Sequence, residues 1–471
     1  MLHETFPTLG TIYLVCEWIV RLVMMVLVPL RRAPEATRSW LLLIFFLPLP
    51  GLGLYLMIGR SRFPKWRMSR FQELVPFLAS MTERLVALAP DGAAAHGPIP
   101  SLVRKLGRLP AVGGNGVEFL AEYDNGIDRL VADIDQAKLH VRLLVYIFAD
   151  DATGRKVIDA LGRAVARGVS CHVLIDSVGS FHWLRSTMQL LREAGVEVRE
   201  ALPPRLWHRR TRRDMRNHRK LFLIDGGIGY AGSQNIVDKD FKPGIVNREL
   251  VLRVTGPVAA EMTAVFLADW YLETETMLAP VVDIPEPAGT ATVQVLPSGA
   301  NYPLEGFETL LIWQIHEARD RIVIVTPYLI PDEGLLNAMR TAALRGVKID
   351  LIVSAVVDQR LVSLAQRSYY EDLLRAGIRI HRFQHYLLHA KNVSIDGKLA
   401  VVGSSNVDVR SFQLNEEVSL LLLDEAAVAR LESFQRGYLA HSDTIDFEAW
   451  CARPRLQKIG ENLARLVSPL L

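Results

Sequence analysis

The sequence predicts an α/β protein of two similar halves that form a pseudo-dimer, preceded by a helical hairpin of two transmembrane segments. Three observations carry this prediction: an internal repeat of alternating strands and helices, a polar pattern present once in each repeat, and uncharged stretches near the N-terminus. Strands that alternate with helices indicate mostly parallel sheets covered by helices. The chain divides into an anchor (1–60), a juxtamembrane region and linker (61–116), and two halves (117–280 and 281–471).

The predicted anchor consists of two apolar segments. Residues 40–58 carry no charge and are long enough for one span of about 20 residues, and the prolines and glycines in their middle predict a kinked or broken helix. Residues 12–30 contain Glu17 and Arg21, whose i, i+4 spacing allows a compensating pair. A span is favoured over an interfacial helix here. If both segments span, the N-terminus shares a compartment with the two halves, and the flanking Lys and Arg residues only weakly favour the cytoplasm.

Composition agrees with a membrane-attached protein of more than one domain. The 471 residues exceed one typical domain, and 50% of them are hydrophobic, with the excess at the front of the chain. The three cysteines lie far apart in sequence, which indicates neither a disulfide framework nor a zinc site. A net charge of +3 decides little by itself.

The internal repeat covers most of the two halves. RLLVYIF (142–148) matches RIVIVTPY (321–328), and ALGRAVARGVSCHVLIDSV (160–178) matches AMRTAALRGVKIDLIVSAV (338–356). Each half therefore reads strand, helix, strand, helix, strand. We expect the two halves to meet at a seam where one chain supplies both parts of a single site.

The pattern HxKxxxxDxxxxxxGSxN stands once in each half. Its polar members are His218, Lys220, Asp225, Ser233 and Asn235 in the first copy, and His389, Lys391, Asp396, Ser404 and Asn406 in the second. Side chains two apart on a strand leave the same face, so each His shares a pocket with its Lys. The Gly-Ser pairs would let backbone and hydroxyl groups approach a bound oxyanion.

These residue types suit the exchange of one phosphodiester for another. One imidazole can attack phosphorus while the other protonates the leaving oxygen, and the roles reverse when a second alcohol arrives. We expect Lys220 and Lys391 to act in catalysis, and Ser233, Asn235, Ser404 and Asn406 to bind the substrate phosphate. No metal or cofactor is needed for this chemistry. Asp225 and Asp396 complete the candidate catalytic set, although closing a turn or pairing with a basic group is their favoured role.

On these motifs the chain resembles the phospholipase D superfamily over residues 117 to 447, and the apolar N-terminus makes it resemble the bacterial cardiolipin synthases within it. The resemblance implies that one motif histidine, His218 by preference, is the nucleophile and that His389 is the general acid and base. It also implies an acidic residue downstream in each half. NxE patterns place Glu249 and Glu417 there, as candidates for holding the imidazole tautomers.

The resemblance implies a phosphatidyltransferase of the bacterial inner membrane that converts two phosphatidylglycerol molecules into cardiolipin and glycerol. Its partners would be this anionic phospholipid and the membrane rather than nucleic acid. Three alternatives stay open: a phosphodiester hydrolase of the same superfamily, phosphatidylethanolamine as phosphatidyl donor, and a scaffold with degenerate motifs, which is disfavoured because both motifs are complete. No Asp-rich run supports the metal-dependent class that uses CDP-diacylglycerol. Oligomeric state is not indicated.

A basic run precedes the first motif. It contains Arg205, Arg209, Arg210, Arg212, Arg213, Arg216, Arg219 and Lys220, opposed only by Asp214. Such a run could hold anionic head groups at about 1 kcal/mol per basic residue near the surface. A solvated basic loop is the alternative, and the same residues would also suit nucleic acid.

Overall fold

The structure is a computed structural model, and it describes residues 9–32, 34–59, 63–88, 97–204, 214–302 and 304–467. The N-terminal region folds into three apolar helices, α1 (Leu9–Leu27), α2 (Pro34–Phe46) and α3 (Pro48–Ile58). Of the helices in the described ranges, α1, with 19 residues, is long and apolar enough to cross a membrane. The three helices share a small core around Met24, Trp40 and Tyr55.

The chain breaks between α2 and α3 and folds back on itself. Leu47 leaves the helical conformation, with φ −131° and ψ 73°. The rings of Trp40 and Tyr55 pack edge to face with centroids 5.2 Å apart, and a Cβ on Gly51 would lie 3.0 Å from Ile44 Cα. The predicted break in residues 40–58 is therefore confirmed.

The expectation that residues 40–58 form a second full span is wrong for this structure. Helices α2 and α3 have 13 and 11 residues. At about 1.5 Å per residue, neither reaches across a hydrocarbon core of roughly 30 Å. Because α3 runs back along α2, the start of α2 and the end of α3 lie next to each other, at the end of the hairpin opposite the break.

The predicted pair within α1 is confirmed, and it has a further partner. Arg21 Nη2 lies 3.2 Å from Glu17 Oε2, and Arg21 Nε donates to the Phe45 carbonyl at 3.1 Å. Carbonyls in the last turn of a helix have no partner within that helix. Arg21 thus satisfies one such carbonyl at the end of α2, beside the break.

Three helices connect the anchor to the first half, α4 (Lys65–Glu73), α5 (Val75–Val86) and α6 (Ile99–Gly107). Both arginines of α4 are held inside the protein and do not flank a membrane span. Arg67 and Arg70 are buried and pair with Glu273 and Glu275. These ion pairs fix α4 against the first half.

The first half begins within the stretch assigned to the linker, because its first strand starts at Val112. Its elements are β1 (Val112–Leu120), α7 (Tyr123–Gln136), β2 (His140–Val145), α8 (Ala152–Ala166), β3 (Ser170–Asp176), α9 (Leu184–Glu193), β4 (Glu197–Ala201), β5 (Leu221–Ile224), β6 (Ile228–Gly232), β7 (Asn247–Arg248), β8 (Val251–Thr255) and α10 (Val258–Thr274).

The second half repeats this order and adds C-terminal elements. It contains β9 (Ala291–Ser298), α11 (Gly306–Glu317), β10 (Arg321–Val325), β11 (Leu329–Ile330), α12 (Glu333–Leu344), β12 (Lys348–Ser354), α13 (Arg360–Arg375), β13 (Arg379–Phe383), β14 (Leu387–Leu388), β15 (Asn392–Ile395), β16 (Leu399–Gly403), β17 (Val407–Asp408), α14 (Val409–Gln413), β18 (Glu417–Leu422), α15 (Glu425–Ala440), β19 (Ser442–Thr444), α16 (Phe447–Cys451) and α17 (Arg455–Val467).

One continuous sheet runs through both halves. Its order is β19-β13-β12-β10-β15-β16-β18-β9-β1-β8-β6-β5-β2-β3-β4, and the antiparallel pair β1–β9 joins the halves. Within the described strands of this sheet, parallel pairing is confined to β2–β3–β4 and β10–β12–β13, so the expectation of mostly parallel sheets is only partly met. The motif strands are antiparallel because short turns, not helices, connect them.

The structure contains the predicted repeat, but β2 and β10 align two residues away from the match seen in the sequence. Asp225 N donates to the His140 carbonyl, and Asp396 N donates to the Arg321 carbonyl. His140, not Arg142, is therefore the counterpart of Arg321. A shift of two residues keeps every side chain on its own face, so apolar strands match almost equally well in either register.

Candidate active site

Backbone pairing across the seam brings the two motifs together. Strand β7 pairs in parallel with β14, and Asn217 forms a bridge with Glu416. As a result His218 N donates to the Glu416 carbonyl at 2.8 Å, and His389 N donates to the Arg248 carbonyl at 2.8 Å. Each motif histidine thus lies beside the acidic segment of the opposite half.

Each imidazole is held by a carboxylate from the other half. His218 Nδ1 lies 3.0 and 3.1 Å from the two oxygens of Glu417, and His389 Nδ1 lies 2.8 and 3.0 Å from those of Glu249. The structure thus places both predicted glutamates against histidines, in a crossed arrangement that the sequence did not indicate. Because Nδ1 donates to the carboxylate, Nε2 carries the lone pair in the neutral ring. Within the described residues no hydrogen-bond partner is found for either Nε2.

The two lysines lie beneath the histidines. Lys220 Nζ donates to the His218 carbonyl at 2.8 Å, and Lys391 Nζ donates to the His389 carbonyl at 2.5 Å. Both side chains are almost fully buried. Burial lowers the pKa of Lys220 to about 7 and that of Lys391 to about 8, with Glu417 and Glu249 opposing the effect. Mutual repulsion adds to the shift of Lys220, so the two motifs form one charged cluster.

The histidines are neutral before substrate binds. Burial lowers the pKa of His389 to about 4 and also lowers that of His218, although the paired glutamates oppose it. Burial alone would raise the pKa of Glu249 and of Glu417, but their histidine partners bring both below the usual value. At neutral pH each ring is therefore a neutral base beside an ionised carboxylate.

The motif serines lie beside the glutamates, and their predicted role in phosphate binding stays a prediction. Ser404 Oγ donates to Glu417 and accepts from Val418 N, and Ser233 Oγ donates to the Leu250 carbonyl at 3.2 Å and accepts from Leu250 N. Both hydroxyls are fully buried. Ser404 therefore supports the glutamate that orients His218, and Ser233 holds the backbone next to Glu249.

The motif glycines are required by a neighbouring strand, not by a ligand. A Cβ on Gly232 would lie 2.4 Å from the Leu250 carbonyl oxygen, and a Cβ on Gly403 would lie 2.4 Å from that of Val418. Contacts this short do not occur between real atoms. Glycine here lets β6 and β16 lie close to the strands that carry Glu249 and Glu417.

The motif asparagines stay close to the cluster, with their side chains partly engaged. Asn235 Oδ1 accepts from Ile147 N at 3.1 Å, which leaves its amide NH₂ for other contacts. Asn406 Oδ1 is buried and has no hydrogen-bond partner in the described part of the chain. Both amides thus have capacity for a substrate oxygen or hydroxyl.

The motif aspartates lie away from the histidines. Asp225 accepts from the backbone N–H groups of residues 138–140, and Asp396 accepts from those of residues 319–321. Each follows the end of its strand that is opposite the histidine, in a turn with φ 50° or 51°. The structure therefore does not bring them into the candidate catalytic cluster and gives them the turn-closing role.

A buried ionic network beneath His218 was missed by sequence reasoning. Arg219 donates to Asp269 at 2.5 and 2.6 Å, to Glu416 at 2.7 Å, and through Nε to the Glu417 carbonyl at 2.9 Å. Arg216 pairs with Asp176 at 2.9 Å. A signal was available, because Asp269 stands between apolar residues, 264–268 before it and 270–272 after it, in α10.

The assignment of Arg216, Arg219 and Lys220 to a basic surface run is accordingly wrong. All three side chains are buried, since each is paired or hydrogen-bonded inside the protein. The other members, Arg205, Arg209, Arg210, Arg212 and Arg213, lie outside the described residues.

Different groups line the two histidines. The ring of Tyr146 contacts His218 edge to face at 4.8 Å, and Lys220 Nζ lies 5.4 Å from its centroid. On the other side, Asp358 accepts from Tyr328 at 2.6 Å and pairs with Lys242 at 2.7 Å. In the ranges that the structure covers, no group of three His, Cys, Asp or Glu side chains is arranged to hold a metal ion.

Comparison with known proteins places this geometry in context. Residues 130–270 and 311–437 match the family described as cardiolipin synthase, PLD-like domain, and residues 17–60 match the one described as phospholipase D-nuclease N-terminal. The chain is 36% identical over 456 residues to cardiolipin synthase A of Serratia proteamaculans, covering 94% of each chain. It is 35% identical over 457 residues to cardiolipin synthase A of Yersinia pseudotuberculosis, again covering 94% of each.

Solved structures share the fold at low sequence identity. A phosphatidylserine synthase from Haemophilus influenzae superposes with a TM-score of 0.60 at 13% identity, covering 80% of this chain and 100% of that one. A polyphosphate kinase from Porphyromonas gingivalis superposes with a TM-score of 0.50 at 18% identity, covering 76% of this chain and 53% of that one.

Proposed function

The chain belongs to the cardiolipin synthase family of phospholipase D-like proteins, and from this premise we propose that it converts two phosphatidylglycerol molecules into cardiolipin and glycerol. Family membership makes it a phosphatidyltransferase. One observation carries the finer proposal: two histidines, each oriented by a glutamate of the other half, share one cluster with two buried lysines.

The first step transfers the phosphatidyl group to the enzyme. His218 Nε2 attacks the phosphorus of the donor, and the bond from phosphorus to the head-group glycerol oxygen breaks. The imidazolium of His389 gives its Nε2 proton to that oxygen, so that neutral glycerol leaves. The product is a phosphatidyl group bonded to His218 Nε2, with His389 now neutral.

The second step reverses these roles. His389 Nε2 takes the proton from a head-group hydroxyl of a second phosphatidylglycerol, and the hydroxyl oxygen attacks phosphorus. The bond between phosphorus and His218 Nε2 breaks, cardiolipin leaves, and His389 is again protonated. One phosphodiester replaces another, so no external energy source is required.

The remaining site residues bind and orient. Lys220, Lys391 and the amides of Asn235 and Asn406 would contact the non-bridging phosphate oxygens, where charge develops. An anionic phosphodiester favours the protonated lysines, and it also raises the pKa of His389, which must hold a proton for the first step. Glu249 and Glu417 fix the tautomers throughout.

We also propose a topology in which α1 spans the bacterial inner membrane and α2–α3 enter it and return. The two halves then lie opposite the N-terminal end of α1. Residues 1–8 contain no Lys or Arg, whereas Arg31, Arg32 and Arg38 follow α1 on the side of the halves. Because positive residues flank spans on the cytoplasmic side, the halves are assigned to the cytoplasm.

Product analysis with defined lipid tests the proposed reaction. Purified protein in detergent receives phosphatidylglycerol as the only lipid, without nucleotide or added metal, and the lipids are identified by mass spectrometry. Cardiolipin with an equal amount of glycerol supports the proposal. Phosphatidic acid alone would show that water is the acceptor, and product formed only after phosphatidylethanolamine is added would change the donor.

A trapped intermediate tests the assignment of the nucleophile. In His389→Ala the first step lacks its acid and the second its base, so the donor is phosphatidyl-p-nitrophenol, whose leaving group needs no proton. We expect the intact protein mass to increase by one phosphatidyl group. His218→Ala is the matched control and should gain no mass. An adduct in His218→Ala and none in His389→Ala would reverse the two roles.

A further inference from the structure

The C-terminal helix α17 carries an exposed apolar stripe. Leu456, Ile459, Leu463 and Leu466 have exposed fractions of 83%, 54%, 59% and 51%. Their spacing of three, four and three residues places them on one face of the helix. Four large apolar side chains in a row on a protein surface indicate a face that is covered in the working state.

The opposite face of α17 is firmly packed, so the stripe is not the result of an undocked helix. Glu461 is buried, pairs with Arg367 at 3.0 Å and accepts from Arg453 at 3.0 Å. Ala464 is also buried, and the guanidinium of Arg465 lies 4.2 Å from the ring centroid of Tyr369. These contacts hold α17 against α13 and direct the stripe outward.

The helix also adjoins the anchor. Ser39 Oγ, in the middle of α2, donates to the Leu466 carbonyl at 2.8 Å. Ser39 directly precedes the uncharged residues 40–58, so it marks where the chain enters the apolar region. The C-terminal end of α17 therefore lies at the level at which the anchor meets the membrane surface.

The charges of α17 suit an anionic surface. Arg455 lies next to the stripe, and Lys458 and Arg465 lie at its border with α13, where they pair with Glu371 at 3.3 Å and Asp372 at 3.5 Å. Glu461, the acidic residue of this helix, is buried on the other face. An apolar face bordered by basic residues is typical of helices that lie in the plane of a membrane interface. Its continuity with the anchor indicates the same bilayer as the occupant.

We propose that α17 is an interfacial helix whose stripe inserts at the boundary between head groups and acyl chains. This inference rests on the membrane placement given in the proposed function. The inserted helix would fix the second half on the bilayer, because α17 packs on α13. Helix α13 in turn starts two residues after Asp358, whose carboxylate interacts electrostatically with His389. The helix would thereby hold the site at a constant height above its lipid substrate.

Quenching by brominated lipid tests the contact directly. In the full chain Cys16 and Cys451 are replaced by serine and the buried Cys171 is kept, so that Leu463→Cys supplies the accessible reporter cysteine. It carries an environment-sensitive fluorophore, and the protein is placed in nanodiscs of phosphatidylglycerol and phosphatidylethanolamine. Leu344→Cys is the matched control, since Leu344 is 78% exposed at the end of α12. We expect brominated acyl chains to quench the probe at position 463 and to leave the probe at position 344 unchanged.

Two outcomes would overturn the proposal. Equal weak quenching at both positions would show that α17 does not contact acyl chains. The probe at position 463 could instead report an apolar environment and yet not be quenched by bromine. If that environment is lost on dilution into empty nanodiscs, a second copy of the chain is the occupant.

A kinetic comparison separates this inference from the proposed reaction. The turnover of the double variant Ile459→Gln, Leu463→Gln on phosphatidylglycerol in bilayers should fall roughly tenfold, because two apolar side chains that would insert into the bilayer are replaced by polar ones. It should keep its turnover on short-chain phosphatidylglycerol below the micellar concentration. Equal losses of turnover by the variant on both substrates contradict the docking role. If the unmodified protein turns over neither substrate, the proposed reaction is contradicted, and the quenching test still applies.

Discussion

The two motif strands have the same backbone arrangement but opposite surroundings. Residues 216–220 read Arg-Asn-His-Arg-Lys, and residues 387–391 read Leu-Leu-His-Ala-Lys. Around His218 the neighbours are buried charges, with Arg219 bonded to Asp269 and Glu416. Around His389 the corresponding neighbours belong to the hydrophobic core. The histidine–glutamate geometry is therefore compatible with two different kinds of support.

The difference predicts two kinds of sensitivity. Removing one partner of a buried ion pair leaves an uncompensated charge and costs about 3–5 kcal/mol. The His389 side, in contrast, depends on packing, where small changes of volume at Ala390 cost less. The following variants test this comparison, from the largest expected effect to the smallest.

Loss of either imidazole should stop turnover. For His218→Ala and His389→Ala we expect at least a roughly 10⁴-fold decrease in cardiolipin formation, because each ring takes part in both steps. Lipid mass spectrometry with phosphatidylglycerol measures it, and circular dichroism checks folding. Substantial activity in either variant would exclude the two-histidine mechanism. The difference between the surroundings of His218 and His389 would then have no meaning for catalysis.

Neutralising either glutamate should cost less than losing a histidine. In Glu417→Gln and Glu249→Gln the amide can stabilise the wrong tautomer, so kcat should fall by roughly 10³-fold. Both values are measured in the same mixed micelles. A loss confined to one variant would show that one ring is oriented by something other than its glutamate.

Arg219→Met should destabilise the protein by about 3 kcal/mol, because it leaves Asp269 and Glu416 buried without their cation. Ala390→Ser changes the corresponding position in the second half and is the matched control, with an expected cost of about 1 kcal/mol. Denaturant unfolding in detergent measures both. Equal costs would mean that the ionic support is not specific to the His218 side.

The lysines predict an alkaline limit to substrate capture. Burial places the pKa of Lys220 at about 7 and of Lys391 at about 8, so the free enzyme loses these charges as pH rises through that range. The protonated lysines bind the phosphodiester, so above these values kcat/KM should fall more steeply than loss of the His389 proton alone would produce, since the pKa of His389 is about 4 in the free enzyme. Bound phosphodiester favours protonation, so kcat should fall only at higher pH. A flat kcat/KM profile up to pH of about 10, near the usual lysine value, would contradict this role.

The motif aspartates should matter least for chemistry. Asp225→Asn and Asp396→Asn each weaken hydrogen bonds to three backbone N–H groups and should lower stability by about 1–3 kcal/mol. We expect kcat to stay within roughly twofold, because both side chains lie beyond the far ends of the motif strands. Activity assays at a temperature well below unfolding separate the two effects. A large fall in kcat in a stable variant would return these residues to the catalytic set.

Sequence reasoning succeeded where local patterns are enough. The repeat, the two motifs and the helix break at Pro48 follow from spacing and residue type, and the glutamates followed from a family resemblance. The pairing of each glutamate with the histidine of the other half could not be predicted from the sequence. It depends on the pairing of β7 with β14, which joins residues far apart in the chain. The contacts of the serine hydroxyls could not be predicted for a similar reason. A buried hydroxyl on a motif strand has the same signature in sequence whether it contacts a ligand or, as Ser404 does, a carboxylate.

The crossed histidine–glutamate pairs also constrain the origin of the chain. Neither half contains a finished dyad, since His218 takes its carboxylate from residue 417 and His389 takes its own from residue 249. An ancestor with a single half would have been active only as a homodimer, with each copy lending a carboxylate to the other. Within one chain the two halves can differ, and the charged lining beside His218 and the apolar lining beside His389 are such a difference.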